Sequence, residues 1–423
     1  MMTFREHKAF RLGAAPLLIV AVFIASCSSP SLPSLPGVSP PGEDEEIRIS
    51  REFRREARKH LKFVNHPEVE RYVDRIGRRI LGATGPQSFE YRFFVVEDGQ
   101  LNAFAVPGGS IYLFSGLIER AKSTDELAGV LGHEIVHVKG RHMARSSGPD
   151  AISVLSLLGM VLLARSGNGA QAAGMVGQAV AATRQAAYSR QLEMEADTLG
   201  ARYMTAAGFD PKGAIAFLKT LDQERALNPI DVPAYIMSHP ITQERVANAE
   251  LVVKSLGPKQ PRPESPETLK RVQTIIRMDR PDRNNVVAEL EKSARQDARN
   301  PERLHLLGFA QQLQGNLAEA RKNLEHAVTL GKRRVRAWNA LGVAWLRLGE
   351  PRKAIGCWQT ALELNPEQYD ALYNIGRVSG QIGDWKTARQ ALESFVKVAP
   401  PKQYARDLAE VRGALSDMSR RGL

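Results

Sequence analysis

The sequence predicts an α+β domain with a small β-sheet over residues 50–256, followed by an all-α repeat domain over 301–402. Three observations lead there. Short apolar or alternating segments, "FEYRFFVVED", "NAFAVP" and "SIYLF", read as strands. Two later stretches, "STDELAGVLGHEIVHVKG" and "YSRQLEMEADTLGARYM", have helical spacing. The last third repeats itself every 34 residues. At 423 residues the chain is too long for one ordinary domain.

In chain order, residues 1–26 read as a signal peptide: "MMTFREHKAFR" is basic and an apolar run of signal-peptide length follows. "IASC" resembles a bacterial lipobox, which makes Cys27 the lipidated first residue of the mature chain. A membrane anchor or an ordinary secretory signal is the plainer alternative. Ser28 behind the cysteine points to the outer membrane, so the expected place is the periplasm, on the inner leaflet of that membrane. Residues 27–49, rich in Pro and Ser, read as an extended tether. The only other cysteine, Cys357, lies on a repeat helix and reads as buried and inert.

The strands follow, with Gly108-Gly109 turning between the last two. Then comes a helix that Ser123 or Thr124 can cap, with Asp125 and Glu126 in its first turn. His133 and His137 stand four apart on it, so both rings project from one face. Two imidazoles so placed can bind one zinc ion, with Glu134 beside them to work on a water. His142, five after His137, is about 140° off that face at helical pitch and stays outside the ligand set. Residues 151–182, apolar then rich in Gly and Ala, read as a buried helical hairpin, with partial membrane insertion as the alternative.

A third ligand is needed. Glu193 and Asp197 share a helix face four apart, while Glu195 points away. One carboxylate can complete a metal site, and the other can fix the tautomer of a ligand imidazole. A solvated acidic face would look the same. His239 sits in a "SHP" turn, with Arg245 six residues on. Residues 257–300 read as a linker with a degenerate repeat or cap, and 403–423 as a C-terminal helix or tail. Between them, units 301–334, 335–368 and 369–402 align Gly308, Gly342 and Gly376, then Ala320, Ala354 and Ala388, then Leu324, Trp358 and Leu392. This resembles the tetratricopeptide pattern, whose concave groove binds extended peptides or partner proteins.

The blocks "NAFAVPGGSIYLFSGLI", "HEIVH", "SRQLEMEADTLGARYM" and "SHPITQERVAN" resemble, in that order, the zinc metalloproteases of the HtpX and CaaX-prenyl-protease family. With the lipobox and the repeats, the chain resembles the BepA-like periplasmic members. The resemblance implies a zincin-type fold, one zinc ion per chain, ligands His133, His137 and Glu193, and Glu134 as general base. It places Asp197 and Arg245 behind the ligands, and it gives His239 a site role. That role is donation to an oxyanion, or occupation of the fourth zinc position with the enzyme held latent. An edge strand at Asn102, Ala103, Phe104, Ala105 and Val106 is the candidate to pair with substrate, an internal strand being the alternative.

The expected function is a periplasmic zinc endopeptidase that degrades misfolded or misassembled envelope proteins. Its repeats would dock on the β-barrel assembly machinery. The alternatives are a latent protease acting mainly as repeat scaffold or chaperone, and a narrow processing protease with one target. Cobalt or manganese would also fit the ligand set. The formal charge of +12 falls mostly in residues 257–423. An exported chain does not normally meet nucleic acid, so that excess reads as a patch for acidic partners or anionic lipid, or as a solvated surface.

Overall fold

The computed structural model describes residues 41–146, 190–227, 234–256, 265–401 and 404–422. The expected signal peptide, Cys27 and the apolar stretch 151–182 lie outside the described residues.

Helix α1 (Glu43–His60) opens on four acidic residues and ends on Arg58, Lys59 and His60, a charge order that complements the helix dipole. Ile49, Phe53 and Ala57 recur every four residues and are buried. The helix therefore takes in residues 43–49, which the expected tether had included. The charged run hides these apolar positions from a reading by composition. Helix α2 (Pro67–Leu81) follows, capped by the His66 side chain accepting from the Glu68 amide, with proline in its first turn.

Strands β1 (Arg92–Val96), β2 (Ala103–Val106) and β3 (Ser110–Phe114) form one sheet in the order β1-β3-β2. β3 runs parallel to β1 and antiparallel to β2. Gly108 and Gly109 make the tight turn at φ 82° and 105°. A Cβ on Gly108 would come within 2.2 Å of the Glu46 carbonyl oxygen, so only glycine lets the turn dock on α1. The pleat then sorts side chains by face. Tyr112 and Phe114 pack with Phe53 of α1, whereas Ile111 and Leu113 join the main core.

A short α3 (Ser115–Arg120) leads to α4 (Thr124–Lys139), capped by Ser123 Oγ accepting from the Glu126 amide at 3.2 Å. From Glu126 to Val138 every residue of α4 is buried, as befits a central helix with neighbours on all sides. Glycines permit this. Gly132 meets Gly200 of α6 (Arg190–Ala206), and Gly129 meets Ala214 of α7 (Lys212–Leu227). The short helices α5 (His142–Ser146) and α8 (Ala234–Ser238) flank the site, and α9 (Gln243–Leu256) packs on α6.

Helices α10 (Pro266–Met278) and α11 (Arg283–Gln296) occupy the stretch expected to be linker and cap. Leu269, Val272, Ile275 and Ile276 of α10 belong to the same core as α4. Gln273 Nε2 donates to the carbonyls of Ile118, Glu119 and Ala121 at the end of α3. α10 is thus joined to the first core, whereas Val286, Val287 and Ala294 of α11 pack in one cluster with Leu304 and Leu307 of the first repeat. Three helix pairs follow: α12 (Pro301–Gln314) with α13 (Leu317–Leu330), α14 (Val335–Arg347) with α15 (Pro351–Leu364), and α16 (Tyr369–Gln381) with α17 (Trp385–Val398). In each, the repeated glycine of the first helix receives the repeated large residue of the second: Gly308 with Leu324, Gly342 with Trp358, Gly376 with Leu392. Helix α18 (Ala405–Arg420) closes the array. Cys357 is buried, its thiol pushed up to about 11 by desolvation.

Candidate metal centre

Helical spacing on α4 brings His133 and His137 together edge to face, with Nε2 atoms 2.9 Å apart. Glu193 of α6 reaches both, its carboxylate oxygens lying 3.4 Å from each Nε2. His239, just beyond α8, places Nδ1 2.9 Å from Glu193 Oε1 and 3.3 Å from His133 Nε2. One donor atom from each of these four buried residues lies within 4.8 Å of the other three.

The chemistry of this donor set fits a divalent ion. His133 Nδ1 lies 2.9 Å from Asp197 Oδ1. An ionised carboxylate only accepts, so that nitrogen carries a proton, and Nε2 is the atom that would offer a lone pair once an ion displaces the proton it holds. Burial works against charging His133, yet the hydrogen bonds to Asp197 and Glu193 outweigh it and push its pKa up to about 10. Burial and the charge on His133 hold His137 well below its ordinary value. Glu193, despite burial, is held well below the carboxylate range by His239 and His133. The cluster is electrostatically arranged to hold positive charge. Two carboxylate atoms here, Glu134 Oε1 and Glu193 Oε2, are buried without a hydrogen-bond partner. Arg245 Nη1 stands 2.8 Å from Glu193 Oε2 as a charge partner.

Arg245 holds the rear of the site. Its Nε and Nη2 donate to Asp197 Oδ2 and Oδ1 at 2.8 and 2.9 Å, and Nη1 donates to the Pro240 carbonyl at 2.9 Å. One guanidinium therefore ties α6 to the turn that carries His239. Burial opposes the Asp197 charge, but His133 and Arg245 keep its pKa below the ordinary value.

Glu134 is buried beside the ligands, with Oε1 3.7 Å from His239 Nε2. β2 lies at the edge of the sheet, and Asn102, just before it, accepts from the Phe114 amide at 2.9 Å. Ala105 and Val106 share a small cavity with His137. Glu195 is outside the four-donor cluster, its Oε2 lying 3.6 Å from His142 Nε2 and 3.5 Å from Arg145 Nη1.

Two residues escaped the reading by spacing. Arg141 adopts φ 51°, which ends α4 and turns the chain back. His142 consequently lies beneath His137, Nδ1 to Nδ1 at 3.0 Å, outside the ligand cluster as expected but against a ligand's rear nitrogen. Burial and Arg145 push its pKa down to about 3, so it stands there neutral. Arg141 is held by Glu46 Oε1 at 2.6 Å and by the Pro41 carbonyl. Tyr235, one turn before His239, stacks on that imidazole at 4.6 Å between ring centroids. Helical spacing to His239 was the sole available signal for it.

The peptidase family M48 model matches residues 67–252, and tetratricopeptide models match 335–368 and 370–401. The beta-barrel assembly-enhancing protease of Escherichia coli K12 is 31% identical over 222 residues, covering 51% of this chain and 45% of that one. A putative beta-barrel assembly-enhancing protease of Vibrio cholerae is 32% identical over 244 residues, covering 55% and 49%. The mitochondrial metalloendopeptidase OMA1 of Schizosaccharomyces pombe is 30% identical over 180 residues, covering 42% and 51%. The chain spans about half the length of the curated relatives it matches. It carries a metallopeptidase domain of family M48, followed by C-terminal tetratricopeptide repeats.

Proposed function

We propose that this chain is a zinc-dependent endopeptidase, lipid-anchored at the periplasmic face of the outer membrane, that degrades misfolded or misassembled envelope proteins. The carrying observation is the convergence of His133, His137 and Glu193, with Glu134 buried beside them. The names of the bacterial relatives support work on β-barrel assembly, and with it docking of the repeats on the β-barrel assembly machinery.

His133, His137 and Glu193 would hold the ion. When bound, zinc supplies a Lewis acid for the scissile carbonyl and lowers the pKa of water to about 7. Glu134 takes the proton of the attacking water and delivers it to the leaving amine. Asp197 keeps the proton of His133 on Nδ1, and Arg245 keeps Asp197 ionised and in place. The edge of β2 pairs with the extended substrate backbone.

The position of His239 supports a second reading. With Nδ1 2.9 Å from Glu193 and 3.3 Å from His133, it stands where a fourth ligand would stand. In that reading the resting protein is latent and acts mainly as scaffold or chaperone until His239 withdraws.

Digestion of casein by the zinc-loaded protein, beside Glu134→Gln at equal zinc content, tests both readings. Cleavage by the parent alone supports the peptidase and puts Glu134 in the chemistry. Cleavage by both sinks the role of Glu134. Silence from both, with activity appearing in His239→Ala, supports latency, whereas silence there too favours the scaffold.

A further inference from the structure

Along α1 most cations have a neighbouring carboxylate: Arg48 meets Glu45 and Glu52, and Arg55 and Lys59 meet Glu56. Arg54 and Arg58 differ. Four apart and so on one face of the helix, they have no carboxylate partner among the described ion pairs. Both line a cleft of about 700 Å³ between α1, the stretch 61–65, β1 and α2. Arg54 is held in place there. Its Nη1 donates to the buried Ser50 and Ser110 hydroxyls at 3.0 and 2.9 Å, which leaves Nε and Nη2 without an acceptor among the described residues. Arg54 is partly exposed and Arg58 fully so, hence a ligand can reach both.

The floor of the cleft is aromatic. Phe94 stacks on Tyr112 with ring centroids 4.9 Å apart, and Phe63 meets Phe94 edge-on at 6.2 Å. Tyr112 is buried, but Phe63 and Phe94 keep part of their rings open to the cleft. Burial pushes the Tyr112 phenol up while the charges of Arg54 and Arg58 pull it the other way, which puts both guanidinia near this ring. The other cations of the lining are matched: Lys62 with Glu97 at 2.5 Å, Arg71 with Asp370 at 3.4 Å, Arg78 with Asp74 at 3.1 Å. Glu70, the remaining carboxylate, is exposed on the α2 wall. Unmatched positive charge therefore sits on the α1 side, beside open aromatic faces. Clefts of this size, apolar with a few fixed polar groups, suit small ligands.

We propose that this cleft binds a single-chain anionic lipid, its carboxylate or phosphate on Arg54 and Arg58 and its apolar chain along Phe63 and Phe94. A bare inorganic anion would leave the aromatic floor unused. A peptide laid there would set backbone amides against ring faces that cannot pair with them. A guanidinium fixed by two serines offers its remaining N–H groups to a carboxylate or phosphate as a charge-assisted pair. None of the four metal-site donors lines this cleft, so binding there is separate from peptide hydrolysis and holds whether or not the metal centre is active.

The test is isothermal titration calorimetry on the full chain, with dodecanoate and dodecyl phosphate below their micelle concentrations. At least one of the two is expected to bind, and the tighter one tells a fatty acid from a phosphate headgroup. Arg58→Gln and Arg54→Gln should each weaken that binding about tenfold, the loss of one charge-assisted hydrogen bond. Octanoate or octyl phosphate, four methylenes shorter, should bind about tenfold or more weakly than its dodecyl counterpart. Should Arg54→Gln fail to fold by circular dichroism, the exposed Arg58→Gln decides. Binding of neither anion, equal binding of dodecyltrimethylammonium, or insensitivity to the arginine substitutions overturns the proposal. Equal binding of inorganic phosphate also overturns it, in favour of a simple anion site, and so does equal binding of an amidated acidic decapeptide, in favour of a peptide.

Discussion

The Nδ1 atoms of His142 and His137 lie 3.0 Å apart, while Nε2 of His137 faces the other metal-site donors. One proton must sit between the two rear nitrogens. With the His137 lone pair turned to an ion, that proton is on His137 and His142 accepts it. His142→Ala is therefore expected to weaken zinc binding about 10- to 100-fold, the range for partners that orient a ligand from behind. Competition against a chromophoric chelator reads this directly, and an unchanged affinity would reduce the contact to packing.

Arg245 is buried and faces two buried carboxylates, Asp197 and Glu193. Replacing it by Met strands both charges, and a loss of about 3–5 kcal/mol is expected in urea unfolding of the metal-free protein. Arg245→Lys should recover only part, since an ammonium cannot reproduce the fork on Asp197. Full recovery by lysine would mean that charge alone matters there.

Glycines set the distance between the ligand-bearing helices and their neighbours. A Cβ on Gly129 would stand 2.8 Å from the Ala214 Cα, so backbone must move. Gly129→Ala is expected to cost about 1–3 kcal/mol. Gly356, exposed in the interior of α15 with nothing within 4 Å, gives the opposite expectation. Gly356→Ala should stabilise by about 0.5–1 kcal/mol, through helix propensity and a restricted unfolded state. Denaturant midpoints of the two variants should move in opposite directions.

His305 and Glu267, 2.5 Å apart, give a pH dependence away from the metal centre. Burial leaves His305 below its ordinary value of 6.5, only partly offset by Glu267. Burial also penalises the Glu267 carboxylate, but His305 and Arg334 outweigh it and hold that pKa below the ordinary 4.5. The signs agree. As pH falls, the unfolded chain takes up protons on both groups before the folded one does. Their contribution is present above about pH 6.5 and declines as pH drops below it. Between pH 7 and 4.5 the parent should lose more unfolding free energy than the double variant Glu267→Gln/His305→Gln. Parallel curves would assign the acid sensitivity elsewhere.

Local order along the chain was legible in the sequence for a physical reason. Periods of 2 and 3.6 residues, a capping serine and a 34-residue repeat express forces acting within one element or between neighbours. That is why His133 and His137 on one face, Glu193 and Asp197 on another, and the 34-residue alignment of the repeats could be read without coordinates. Where a charged run masked the apolar stripe of Ile49, Phe53 and Ala57, composition pointed to a tether and packing made a helix.

Only the tertiary structure decided how the separate pieces meet. His239 lies 46 residues from Glu193, and Arg245 lies 48 from Asp197, yet both pairs are in hydrogen-bond contact. His142 comes under His137 because Arg141 takes a positive φ, held by Glu46 from 95 residues away. A cleft shared by α2 and the repeats depends on α10 packing into the first core. No local period encodes such contacts, because they depend on which buried faces exclude water together.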